Sequence, residues 1–229
     1  MLTVVAFLKP TKIKLIFLIE WAFFILITAA RGHLRTGLVL VAGYPLIFFY
    51  LVACTLTALS KHTQRIAQGW GLPASAAGLI VLDQAIKTSI TALIPYQTSI
   101  PIIKNWLYLA HERNFHGSWV ASTFDIQSFS VFNLIQLGLA ILIPLFSILC
   151  RRYYTRNHRQ SLWVDVAFLG IFSGYASWVC DMSLREYIVD FIRLPGLVTA
   201  DLKDIFITIG VAAFFAEALD NPELSLSST

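Results

Sequence analysis

The sequence predicts an all-α polytopic membrane protein with six transmembrane helices and a small extramembrane segment on one face. Three observations predict it. Of 229 residues, 57% are hydrophobic and only 13% charged, against about 45–50% apolar and about 25% charged in a soluble domain. The apolar residues collect in six runs, each near the roughly 20 residues that a helix needs to cross a bilayer core of about 30 Å. The runs are apolar on all sides rather than striped, and a helix satisfies its own backbone hydrogen bonds in hydrocarbon where an open sheet edge cannot. This composition excludes a water-soluble globule, a disordered chain and a disulfide-stapled mini-protein. The three cysteines, Cys54, Cys150 and Cys180, are scattered through apolar runs and read as small buried residues. The net charge of +4 is modest, and no basic tract is interleaved with exposed aromatics, so no nucleic-acid partner is expected.

Taken in order, the first run covers 15–30. Its basic lead of Lys9, Lys12 and Lys14 and its end at Thr28, Ala29 and Ala30 resemble a cleaved signal, but its length and Glu20 favour a retained span. The second run, 37–59, forms a hairpin with it across 31–35. A cytoplasmic turn at 70–73 ends in Pro73 and leads to the third run, 74–94. Residues 95–129 form an outer segment with Trp106, Tyr108 and Trp119 suited to the interface. The fourth and fifth runs, 131–150 and 162–180, flank Arg151, Arg152, Arg156 and Arg159. That arginine loop is expected in the cytoplasm, and alternation then puts both termini there too. Gly170 and Gly174 in the fifth run read as a close helix contact. Residues 181–202 lead outside the membrane to the sixth run, 202–219.

The rare acids carry the chemistry. Five of thirteen lie between 181 and 204: Asp181, Glu186, Asp190, Asp201 and Asp204. Asp190 is flanked by Ile188, Val189, Phe191 and Ile192, and Asp204 precedes Ile205 and Phe206 near the start of the sixth run. Adjacent antiparallel helices would bring Asp190 and Asp204 together at one membrane depth. Two carboxylates close together in a low dielectric do not both ionise readily, so one keeps a proton while the other acts as base. Such a pair activates water and protonates a leaving amine, which is aspartic-peptidase chemistry. Asp83 and Lys87, four apart in the third run, share a helix face, and an ion pair inside a membrane marks a candidate site. His111 and His116, around Glu112, superficially match a zinc-protease motif, but five residues on a helix separate them by about 140°. They read instead as interfacial polar residues of the outer segment.

These residues match a family pattern. Asp83, Gln84 and Lys87 resemble the D-Q-x-x-K motif of bacterial lipoprotein signal peptidases (signal peptidase II). Asn114 with Gly117, Ser118 and Trp119 is similar to N-x-G-A-A-F. Gly174 through Asp181 resembles G-G-x-x-G-N-x-x-D-R. Ile188, Val189, Asp190 and Phe191 match V-V-D-F, and Asp204 through Gly210 resembles the end of F-N-x-A-D-S-x-I-x-x-G. The resemblance implies a four-helix peptidase-like domain over 74–219. Ahead of it, 1–73 would be a two-helix hairpin and linker, and 220–229 would follow as a polar cytoplasmic tail. It implies Asp190 and Asp204 as the catalytic pair, with Asp83, Lys87, Asp181 and Asn114 in support and Gly117 and Trp119 meeting substrate. The substrate implied is a prolipoprotein cut before its lipid-modified cysteine at the outer face of the bacterial cytoplasmic membrane. Neither metal nor organic cofactor is implied, and membrane lipid is the surrounding partner.

The pattern also departs from the family. Trp178 and Met182 stand where it has Asn and Arg, and Ala200 and Asp201 where it has Phe and Asn. These positions motivate an alternative: a catalytically altered or inactive paralogue serving as a structural membrane subunit, docked to a protein partner through residues 1–60.

Overall fold

The computed structural model describes residues 4–30, 38–66, 69–115, 131–157 and 161–220; side chains at 38–40 and 131–137 are outside that description. A short helix α1 (Val4–Leu8) precedes six long ones: α2 (Lys12–Ala30), α3 (Leu38–Ser60), α4 (Gly71–Leu93), α5 (Val131–Arg156), α6 (Leu162–Arg185) and α7 (Leu202–Asp220). Among the described residues, four stretches are long and apolar enough to cross a membrane: Lys12–Ala30, Val41–Ser60, Gly71–Leu93 and Leu162–Arg185. Helix α7 is as long as α2 but carries Lys203, Asp204, Glu217 and Asp220.

The all-α expectation is corrected by a four-stranded antiparallel sheet, in the order β1 (Ser99–Ile103), β2 (Leu107–Asn114), β3 (Ile188–Leu194) and β4 (Val198–Ala200). The two interhelical segments meet in it: β2 comes from between α4 and α5, and β3 from between α6 and α7. Local chemistry explains the switch from helix to strand. Ile94, held extended before Pro95, ends α4. Glu186 ends α6 in the left-handed region at φ 62°. Beyond it, Ile188, Val189, Phe191 and Ile192 favour a strand over a helix. Pro195 and Gly196 then turn β3 into β4, with Gly196 at φ 75° and Leu197 N–H donating to Leu194 O at 3.0 Å.

Helices α6 and α7 pack backbone to backbone. A Cβ on Gly170 would lie 2.7 Å from Gly210 Cα, and one on Gly174 3.0 Å from Lys203 O. This matches the close contact expected at these glycines. The N-terminal hairpin joins the same core: Phe17 and Phe49 are buried with Leu162, Trp163, Val166, Ala212 and Ala213. Trp21 Nε1 donates to Ala42 O at 2.8 Å, fastening α2 to α3. Val189 and Phe191 of β3 rest on Ile90 of α4 and on Ile94 just beyond its end. The sheet therefore sits at the end of the bundle where α4 and α6 finish and α7 begins.

Candidate active site

The site grows from two helix faces and one strand. On α4, Asp83 and Lys87 are four residues apart and both fully buried. Opposite them on α6 stand Ser177, Asp181 and Arg185, again spaced by four. Gln84 Nε2 donates to Ser177 Oγ and to Asp181 Oδ1, each at 3.0 Å. Arg185 Nη1 donates to Gln84 Oε1 at 2.6 Å and to Asp181 Oδ1 at 3.1 Å. Ser177 also donates to Asp83. Met182 leaves no guanidinium directly after Asp181, and Arg185 supplies one a helical turn later.

Lys87 Nζ is the hub. It lies 2.7 Å from Asp83 Oδ2, 2.5 Å from Asp181 Oδ2 and 2.6 Å from Asp201 Oδ2. Buried charges persist only when paired in this way. The last contact brings in the head of α7. There Asp204 N–H donates to Asp201 Oδ1 at 3.1 Å, and Asp201 N–H donates to Asp204 Oδ2 at 3.2 Å. This reciprocal arrangement has the form of a capping box, so the carboxylates that start the helix are also aimed by it. Lys203 Nζ, between them in sequence, contacts Asp201 Oδ1 at 3.0 Å and Asp204 Oδ1 at 2.9 Å.

Asp190 enters from β3, not from a helix as expected. Strand pairing sets it opposite Glu112 of β2, with Asn114 opposite Ile188. Asn114 Nδ2 donates diagonally to Asp190 Oδ2 at 3.1 Å. One carboxylate oxygen from each of Asp190, Asp201 and Asp204 falls within 4.8 Å of the others. One water can bridge such a span with two hydrogen bonds. Asp190 is 4% exposed, whereas the Asp204 side chain is 47% exposed, so Asp204 is the acid open to solvent. Burial pushes the Asp190 carboxyl up to about 8; Asp201 and Asp204 add to the rise, and Lys203 and Asn114 oppose it. Burial also presses on Asp201, but Lys203 and Lys87 outweigh it and hold that group below its ordinary value.

Two groups of three acids, Asp83 with Asp181 and Asp201, and Asp190 with Asp201 and Asp204, are close enough to ligate a metal ion. In the first, Lys87 touches all three carboxylates; in the second, Lys203 touches two. Ammonium groups thus occupy the cation positions, and the donor sets do not fit a metal.

Of the residues singled out from sequence, Asp83, Lys87, Asp181, Asn114, Asp190 and Asp204 converge here. Gly117, Trp119 and His116 lie outside the described residues. His111 is corrected from an interfacial residue to a buried one, with Nδ1 2.7 Å from Ile94 O. The β2–β3 register shifts between Leu109 and Glu112, and this bulge turns both Ala110 and His111 inward. Sequence reading missed Lys203, Gln84, Ser177 and Arg185 as site residues. The spacing of four among Ser177, Asp181 and Arg185 was the available signal. Glu20, without an obvious partner in the sequence, faces Thr208 of α7.

A family model described as signal peptidase (SPase) II matches residues 75–219, more than half of the chain. The chain is similar to the lipoprotein signal peptidase of Fusobacterium nucleatum subsp. nucleatum, 22% identical over 142 residues that cover 61% of this chain and 80% of the relative. It is also similar to that of Streptococcus thermophilus, 24% identical over 142 residues that cover 61% and 86%. A solved bacterial membrane enzyme shares the fold at a TM-score of 0.55 and 20% identity, over 69% of this chain and 93% of the other. A second shares it at a TM-score of 0.55 and 21% identity, over 73% and 100%.

Proposed function

Because the chain belongs to the signal peptidase II family, we propose that it is a membrane-embedded aspartic endopeptidase with Asp190 and Asp204 as its catalytic pair. Membership makes it a signal-peptide-cleaving protease and a multi-pass protein of the bacterial inner membrane. On our reading its substrate is a prolipoprotein, cut before the lipid-modified cysteine. All six long helices span the membrane, both termini are cytoplasmic, and the acid pair lies at the outer face. In support, Arg151 pairs with Asp165 near the start of α6, at the end of the bundle opposite the acids.

The observation that carries the aspartic mechanism is the approach of the Asp190 and Asp204 carboxylates to within 4.8 Å. One acid is buried and the other open. Asp204, as carboxylate, takes a proton from a water held between the pair. The resulting hydroxide attacks the scissile carbonyl, and Asp190 donates its proton to the carbonyl oxygen. Collapse of the tetrahedral intermediate breaks the C–N bond, with Asp204 protonating the departing amine and Asp190 recovering its proton from the hydroxyl. Acid and base roles are thereby reset without any outside reagent. Asp83, Lys87 and Asp181 brace α4 and α6 beneath the pair, and Asn114 orients Asp190.

The alternative of a structural subunit draws on Trp178 and Met182. Arg185 weighs against it, because Asp181 keeps a guanidinium partner.

The test is cleavage of a lipidated prolipoprotein by the purified full-length chain, beside Asp190→Asn and Asp204→Asn. Wild type cleaves, and each variant loses about 10²–10⁴-fold, the usual worth of a positioned acid or base. A wild type inert toward a verified substrate refutes the peptidase, whereas normal turnover in both variants removes the pair.

A further inference from the structure

Granted the acid pair proposed above, on which this inference rests and which it deepens, Lys203 acquires a role. It is the second residue of α7, where unpaired backbone N–H groups make the helix end positive. A cation there is electrostatically disfavoured, and this one is 3% exposed. Neither helix formation nor packing calls for an ammonium at that place. Only its partners do: Asp201 Oδ1 at 3.0 Å and Asp204 Oδ1 at 2.9 Å. Asp201 is shared, since Lys87 holds its other oxygen at 2.6 Å. Across the site, Asp190 receives only the neutral amide of Asn114 among the contacts described, and its Oδ1 is buried without a hydrogen-bond partner.

We propose that Lys203 is a positioning residue that widens the difference between the two catalytic acids before substrate arrives, holding Asp204 as the carboxylate and leaving the shared proton on Asp190. Burial already favours the proton on Asp190, and an ammonium in contact with Asp204 adds to that preference. The charged groups around the pair are Asp201 and Lys203 at the head of α7, Asp83 and Lys87 on α4, Asp181 and Arg185 on α6, Glu112 on β2, and Glu20 on α2 within electrostatic reach of Asp204. Of the cations, only Lys203 has a described contact with either member of the pair. In the F-N-x-A-D pattern that the segment resembles, Asp201 and Lys203 take the Asn and Ala positions, so the two charges form one unit that can be removed together.

The experiment measures cleavage against pH for the full chain in lipid nanodiscs, comparing wild type with Lys203→Arg, Lys203→Met, Lys203→Gln and the double variant Asp201→Asn/Lys203→Ala. Without the cation, Asp204 holds its proton to higher pH. The acidic limb of kcat/KM therefore moves upward by about 1–3 pH units in Lys203→Met and Lys203→Gln, the displacement an adjacent opposite charge exerts on a carboxylate. Lys203→Arg keeps the wild-type limb. The double variant also removes the like charge of Asp201, which disfavours the Asp204 carboxylate, so its limb moves less. Lys203→Gln keeps a hydrogen-bond donor at the site, so it decides the matter if Lys203→Met fails to fold. An acidic limb unmoved in Lys203→Gln overturns the proposal.

Isotope-edited infrared spectra give a readout independent of turnover. At neutral pH Lys203→Gln gains a protonated-carboxyl band, and adding Asp204→Asn abolishes it. No gain overturns the role of Lys203. A normal infrared result with an inert wild type sinks the peptidase reading alone.

Discussion

Asp190 links protonation to folding. The folded chain keeps its proton up to about pH 8, whereas an unfolded aspartate releases it near pH 4. Between those limits the native state binds more protons than the unfolded state, so stability falls as pH rises through the window. Asp190→Asn removes that dependence. Its Tm exceeds that of wild type at about pH 8, and the gap closes toward about pH 4. For a chain of this size, ~1 kcal/mol corresponds to about 2–4 °C, and the gap at high pH is at least that large. Thermal unfolding at several pH values checks it; a gap constant with pH would move the proton to another group. At this scale much of the site was legible. Asp83, Lys87, Asp181, Asp190 and Asp204 stand out because an apolar chain has few acids. Arg185 did not, because its partners lie one turn or one helix away, and Lys203 did not, because only the folded helix start turns its ammonium back onto Asp201 and Asp204. Asp201 read as a lost Asn, while its contacts with Lys87 and Lys203 appear only in three dimensions.

Among the elements, the contact between α6 and α7 governs the site. Gly170 and Gly210 touch through backbone, and a Cβ on Gly210 would fall 2.7 Å from Ile171 N. Gly170→Ala must push the helices apart. It costs about 1–3 kcal/mol as an overpacking change and separates Asp181 on α6 from Asp201 on α7, which Lys87 grips together. Cleavage falls with stability in this variant. Gly78→Ala, in open space on α4, leaves both unchanged or slightly improved. Denaturant midpoints and turnover for the two variants make the comparison, and equal behaviour would remove the backbone contact as a determinant. The helices were readable from hydropathy because lipid enforces long apolar runs. The strands were hidden. Segment 99–114 is too mixed for an apolar run, and Ile188 through Ile192 is apolar enough to pass for the edge of a span. Glu186 in the left-handed region gives no compositional warning that α6 has ended.

For the whole molecule, the N-terminal hairpin is part of the bundle rather than a tether. Phe17 lies 6.1 Å from Trp163, centroid to centroid, and Glu20 reaches Thr208 on the helix that bears Asp204. Removing residues 1–60 therefore lowers the melting temperature and the cleavage rate of what remains. Unchanged melting of 61–229 would mark the hairpin as an appendage reserved for a partner. The sequence showed two apolar runs ahead of residue 60, but not the face on which they dock, because α2 is apolar all round.

The mixed parentage of the sheet has a consequence for the life of the chain. Asp190 takes its orientation from Asn114, made earlier in synthesis, and its neighbour Asp204 belongs to the last helix. A nascent or truncated chain lacking that helix holds only half of the proposed acid pair. On that proposal, competence to cut would date from the moment when the second loop joins the first, after the final helix has been made.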